Sequence, residues 1–228
     1  SLITGAVEDD IVSTSGAIPI TADRLALVGG EIKSSGALTL HPNASGQTIG
    51  LADGVGDFSL TATEIGLLTD GFSSITIGKT NSGAVDINAI TFTDPVTIRG
   101  GAMTVTALQA VAHNIPLTSA PPIDEDDDNT TVDITTRGTL SLTAEGAIGA
   151  TGGSGPLDLT VGTLVATTTT GGIFLLESSA LIIGGTGVQT TANNAAIEIT
   201  LTAGSLTLAD DITAHGSGTV TLAVLGAD

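Results

Sequence analysis

The residues of this 228-residue chain best able to do chemistry are its carboxylates, which are densest at Asp124-Glu125-Asp126-Asp127-Asp128. Hard oxygen ligands crowded on a flexible segment suit calcium. Asp124, Asp126, Asp127 and Asp128 are therefore the candidate calcium ligands, and calcium is the one candidate cofactor. The run lacks the glycine and terminal Glu of an EF-hand loop, so the alternative is a solvated acidic segment with loosely held counterions.

Two glycine-rich stretches invite the same question. Gly152-Gly153-Ser154-Gly155-Pro156-Leu157-Asp158 is similar to the calcium-binding nonapeptide of RTX solenoids, with its Asp one place late and no tandem copy. Asp53-Gly54-Val55-Gly56-Asp57 is a shorter fragment of that kind. Gly and Asp are ordinary turn formers, and both stretches read as corner turns.

An enzyme acting on polysaccharide would need carboxylates converging on one face, with aromatic platforms for sugar rings. Asp57 and Asp86 follow corner glycines, and Asp133, Asp158 and Glu198 fall at polar positions of later strands, so an outward carboxylate ladder is conceivable. The chain has no Trp or Tyr, which leaves a solvated acidic face as the simpler reading. His41, His113 and His215 show no metal-ligand spacing. No Gly-x-Ser-x-Gly elbow supports nucleophilic catalysis. Thr167 to Thr170, and Thr91 with Thr93, suggest ice-binding threonine arrays, but threonines do not recur at one place in successive repeats.

The elements that must carry these residues are short strands. A small residue followed by apolar, polar, apolar recurs as Gly16-Ala17-Ile18-Pro19-Ile20, Gly36-Ala37-Leu38-Thr39-Leu40 and Gly56-Asp57-Phe58-Ser59-Leu60, each start 20 residues after the last. It returns from Gly83, Gly101, Gly138, Gly155, Ala195, Gly204 and Gly218. Period-two alternation makes each phrase a half-buried strand, with Ile18, Leu38 and Phe58 on one face. The corner glycines are expected to take left-handed conformations. Weaker strands follow at Arg24 to Val28, Thr48 to Leu51, Ser74 to Ile77 and Val96 to Ile98.

A repeat of about 20 residues with several strands is one coil of a parallel β-helix. The fold class is thus all-β, a right-handed parallel β-helix (β-solenoid), with residues 1–228 forming one solenoid of roughly eleven coils and about 50 Å. The pattern breaks over 107–130, where paired Pro121-Pro122 and the acidic run argue against a central strand. An inserted loop is expected there, or else a junction between two solenoid blocks. Starting in mid-pattern at Ser1 and ending without a polar capping helix, the chain reads as a segment of a longer protein.

Thr48-Ile49-Gly50-Leu51, Gly56-Asp57-Phe58-Ser59-Leu60-Thr61-Ala62, Gly204-Ser205-Leu206-Thr207-Leu208-Ala209-Asp210-Asp211-Ile212 and Gly216-Ser217-Gly218-Thr219-Val220-Thr221-Leu222 resemble the degenerate repeats of filamentous-haemagglutinin-like bacterial exoproteins. The resemblance implies a right-handed β-helix, export across a bacterial outer membrane and a role in adhesion.

Composition bounds the partners. Five basic residues against 24 acids give a formal net charge of −19, with no basic patch to neutralise phosphates. Nucleic acid is not an expected partner, and neither is membrane insertion, since the apolar runs are far shorter than a span. The expected partners are flanking coils of the parent protein, further copies joined end to end or laterally, and a glycan or protein of a host or cell surface. With no cysteine, disulfides contribute nothing. The expectation is a non-enzymatic structural or adhesive rod at an extracellular or bacterial cell-surface location, the alternative being a carbohydrate-active parallel β-helix, a polysaccharide lyase or hydrolase.

Overall fold

A computed structural model describes residues 2–4, 10–126, 131–151, 155–192 and 194–225, with the backbone alone described for 2–4. Every strand pairing among them is parallel, and consecutive coils stack into a β-solenoid of about nine turns, each about 23 residues. The coils are fewer and longer than the 20-residue spacing suggests, because bulges and corner excursions between strands add residues that carry no alternation.

Three faces run along the solenoid. The first stacks Ile18–Ala22, Ala37–Pro42, Ser74–Gly78, Val96–Gly100 and Ile115–Ser119, then the later parts of Ile134–Ala144 and Leu157–Thr168. The second stacks Ile49–Leu51, Val85–Ile87, Met103–Val105 and Ile123–Glu125, passes through bridges at Ile148, and continues in Ile173–Glu177, Ile197–Leu201 and Val220–Val224. The third aligns Ile90, Leu108, Ile134, Leu159, Glu177, Leu201 and Val224 in one column. Alternate residues point inward, so each face feeds the core a ladder of β-branched and Leu side chains repeated at the strand spacing of about 4.8 Å. Leu38, Leu40, Ile77, Ile98, Leu108, Leu140 and Leu164 are wholly buried in it.

Two of the first three sequence copies stack as expected, with Ile18 opposite Leu38. The third does not: Phe58 pairs with Ile49 on the second face, and Leu38 takes Ile75 instead. The link 52–57 returns the chain parallel to Ile49–Leu51 in six residues, with Ala52 and Asp53 at φ of 53° and 69°. A one-turn helix, Ala62–Ile65, follows, closed by a capping box between Thr61 and Glu64. The extra length between Leu38 and Ile75 is this excursion.

Most of segment 107–130 also belongs to the scaffold. Leu108–Gln109, Ile115–Ser119 and Ile123–Glu125 occupy the three faces of one coil, with Ile115, Leu117 and Ile123 buried. Pro121 and Pro122 stand at the corner between two of them, where Pro122 still accepts the Met103 N–H at 2.9 Å. Pro116 sits at an outward position of its strand, giving up one donor without disturbing the core side. The expected excursion shrinks to the link between Glu125 and Asp133, of which residues 127–130 lie outside the described residues.

The corner glycines serve close approach, not left-handed backbone. Gly16, Gly36, Gly56, Gly83, Gly101, Gly138 and Gly218 all lack a positive φ; of the phrase-opening glycines only Gly155 and Gly204 have one. A Cβ on Gly36 would lie 2.6 Å from the carbonyl oxygen of Gly16 one coil below, and one on Gly101 2.9 Å from that of Gly83. Hydroxyls complete these corners. Ser34 donates to the Gly16 carbonyl at 2.7 Å and accepts the Gly36 N–H at 2.9 Å; Thr136 does the same for His113 and Gly138 at 2.6 and 2.9 Å.

Candidate functional site

Of the four candidate calcium ligands, Asp124 is a half-buried outward residue of Ile123–Glu125, in register with Thr104 and through it with Asp86. Asp126 follows it, exposed, and Asp127 and Asp128 lie outside the described residues. Among the described residues no three acids, histidines or cysteines converge as a metal site. In the 52–57 link each Asp is engaged by the chain itself. Asp57 accepts the Thr48 hydroxyl at 3.1 Å, while Asp53 lies 3.5 Å from the Ala62 N–H. Asp86, one coil on, accepts the Val55 N–H at 2.5 Å. The stretch is a turn held by carboxylates. In the second glycine-rich stretch, residues 152–154 lie outside the described residues, Gly155 is left-handed at φ 80°, and Asp158 is buried.

An exposed carboxylate ladder does not form, because Asp133 and Asp158 are covered, at 2% and 5% exposure, Asp158 in register with outward Leu176. They stack coil on coil: the Asp158 N–H donates to Asp133 Oδ2 at 2.7 Å, while the Asp133 N–H donates to the Asp158 carbonyl at 2.8 Å. Of Asp133, Asp158 and Glu198, Glu198 alone is outward and exposed.

Three further acids are buried: Glu125, read from the sequence only as part of the acidic run, and Asp94 and Glu177, which the sequence reading missed. Asp94 accepts the Gly71 N–H at 3.0 Å, and burial raises its pKa against the lowering effect of that bond and one from Phe72. Glu177 is wholly buried, yet it fills the place of a leucine between Leu159 and Leu201. Its carboxylate turns to the corner, accepting the Ser179 hydroxyl and N–H at 2.6 and 2.8 Å and the Val161 N–H at 3.1 Å. Desolvation outweighs those bonds and pushes its pKa up to about 7. The only signal in the sequence is its position at the inward end of the alternation that begins at Ile173.

The same strand breaks the pattern on its outer side. Inward Ile173, Leu175 and Glu177 leave Phe174 and Leu176 facing out, at positions where most strands carry Thr, Ser or Asp, though Ile182 on Leu181–Thr190 is an outward aliphatic too. Phe58, Phe72 and Phe92 are buried, so Phe174 is the one Phe among the four that reaches the surface, partly buried. Its ring lies back over Gly172, where a Cβ would come within 2.6 Å of it. Phe174 is in register with Glu198, and Leu176 with Thr200. With Pro156 and Thr151 across the groove, these residues line a cleft of about 390 Å³.

Threonines recur in register after all. Thr39, Thr76 and Thr97 form one outward row, and Thr118, Thr143 and Thr167 another. The rows are bounded by Pro19, Arg99 and Gln189. Unequal coil lengths hide this recurrence from a fixed-period reading. Of the histidines, His41 is tied to its own corner: Nδ1 donates to the Pro42 carbonyl at 3.1 Å and Nε2 accepts the Thr21 hydroxyl at 3.3 Å.

Among the described residues no helix is long and apolar enough to cross a membrane. No family model, curated protein or solved structure matches this chain.

Proposed function

We propose that this chain is a structural and adhesive rod segment of a large secreted or cell-surface bacterial protein, of the filamentous-haemagglutinin-like kind that its repeats resemble. The supporting observation is what the buried acids do. Asp94, Asp133 and Glu177 each accept a backbone N–H from an adjacent coil, so carboxylates of the kind a catalytic cleft would need are bound into the stack. A β-solenoid whose coils each rest on their neighbours transmits load along its axis and offers long, flat outer faces for contact. Extracellular placement agrees with a chain of net charge −19 and no cysteine.

The test is retention under flow of beads coated with the chain, on glycan-coated and protein-coated surfaces, with a parallel assay for polysaccharide cleavage. Saturable retention without cleavage products supports the rod. Release of unsaturated or reducing sugar ends would overturn it in favour of the carbohydrate-active alternative.

A further inference from the structure

We infer that the cleft beside Phe174 binds glycans built of amino sugars, with the ring of Phe174 as the stacking platform and the Glu198 carboxylate as the partner of the sugar ammonium. This rests on the adhesive part of the reading above and names the ligand class and the site.

The argument begins with pattern. On a solenoid the outer residue of each strand faces water, and an aromatic and a leucine placed there forfeit burial unless something covers them. Ile173–Glu177 places both outside, and on its inner side puts an acid where a leucine fits. Departures from local consistency concentrated on one strand are where function is to be sought. The ring is also fixed: Gly172 beneath it has no side chain, and the bare backbone gives the ring a seat. A held ring loses little freedom when a ligand covers it.

The chemistry of the rim selects the ligand. A pyranose offers an apolar C–H face that lies on an aromatic ring, and hydroxyls around its edge that seek acceptors and donors. Thr151 and Thr200 supply hydroxyls, and Glu198, directly opposite Phe174 on the next strand, supplies an exposed carboxylate. Among the described residues no Lys, Arg or His lines the cleft. Uronic acids and other anionic sugars would meet a like charge at Glu198 and a chain of net charge −19. A protonated amino sugar meets complementary charge at both ranges and adds a cation–π term at Phe174. The volume, about 390 Å³, lies toward the small end of ligand clefts, fitting a short stretch of glycan laid along the face.

The experiment is calorimetric titration of the whole chain with a glucosamine oligomer, its fully N-acetylated counterpart and an oligogalacturonate, with melting followed by circular dichroism. The variants are Phe174→Leu, which keeps apolar bulk without a π face, and Glu198→Gln. Saturable binding of the glucosamine oligomer is expected, about tenfold weaker in each variant, with unchanged melting, and no binding of the galacturonate. The acetylated oligomer should bind more weakly than the amine and be indifferent to Glu198→Gln. Equal affinity for amine and acetylated oligomers, affinity for the amine that neither substitution lowers, or no binding at all would each overturn the assignment. None of these results bears on bead retention or polysaccharide cleavage, so the rod reading stands or falls separately.

Discussion

Glu177 accepts the backbone N–H of Val161, one coil below it, at 3.1 Å. The ladder between these two coils lapses between Leu159, paired with Glu177, and Thr163, paired with Ile182, so Val161 has no strand partner on that side. A carboxylate drawn into a leucine column thus replaces a missing carbonyl. An orphaned buried N–H costs on the order of 1–3 kcal/mol, which the bond avoids at the expense of desolvating an acid.

That expense sets a pH dependence. With its pKa raised from 4.5 to about 7, folded Glu177 keeps a proton that the unfolded chain has already released. Its contribution to stability is therefore full below about pH 4.5 and falls as pH rises through 7, by on the order of 3 kcal/mol. Buried Asp94 shifts in the same direction. Urea unfolding of wild type and Glu177→Gln between pH 4.5 and 8 should show the variant gaining on wild type as pH rises. Parallel curves would mean that Glu177 holds no proton in the fold.

Gly78 and Gly46 separate close approach from backbone conformation, since both are left-handed, at φ of 79° and 73°. A Cβ on Gly78 would lie 2.0 Å from the Arg99 carbonyl oxygen, whereas one on Gly46 meets nothing within 4 Å. Gly46→Ala should cost about 1 kcal/mol, the conformational term alone, and Gly78→Ala clearly more, because two strands must part. Denaturation midpoints of the two variants provide the comparison, and equal losses would count against the stacked-corner account.

Thr136→Val keeps the shape of a buried corner side chain while removing its hydroxyl. The His113 carbonyl then loses its donor and the Gly138 N–H its acceptor. A loss of about 1–3 kcal/mol is expected by chemical denaturation, with hydrogen exchange accelerated at Gly138 in particular.

Leu140 lies on the first face between Ile115 and Leu164, wholly buried. Leu140→Ala should destabilise by about 2–5 kcal/mol, since rows above and below hold the cavity open. The loss should spread to the flanking coils, because each coil is stabilised by its neighbours. Exchange protection of Ile115–Ser119 and of the Leu164 region reads this directly.

Strand identity was legible wherever alternation was strict, as at Ile18, Leu38, Met103, Leu140 and Ile197. Stacking partners were less so. Gly56-Asp57-Phe58-Ser59-Leu60 looks like a third copy of the first-face strand, yet the 52–57 turn returns Phe58 onto Ile49 before the first face is reached again. The prolines at 116, 121 and 122 suggested a break in a chain whose scaffold accommodates them at an outward position and at a corner. The Phe174 cleft was invisible for a similar reason: Ile173 to Leu176 reads as a plain apolar run until the register says which side each residue faces.

Composition and alternation alone determined that this chain would be parallel-stacked β-structure with an aliphatic core. Many Ala, Val, Ile, Leu, Thr and Gly with almost no aromatics can pack only as short, closely stacked strands. Tertiary structure decided which acids lie inside, which glycines are needed, and where the surface departs from polar. Those outcomes depend on register between coils of unequal length, and a slip of one residue exchanges core and solvent faces. Register is set by bulges and corner turns, such as the shift between Thr136 and Thr139, which hydropathy does not encode.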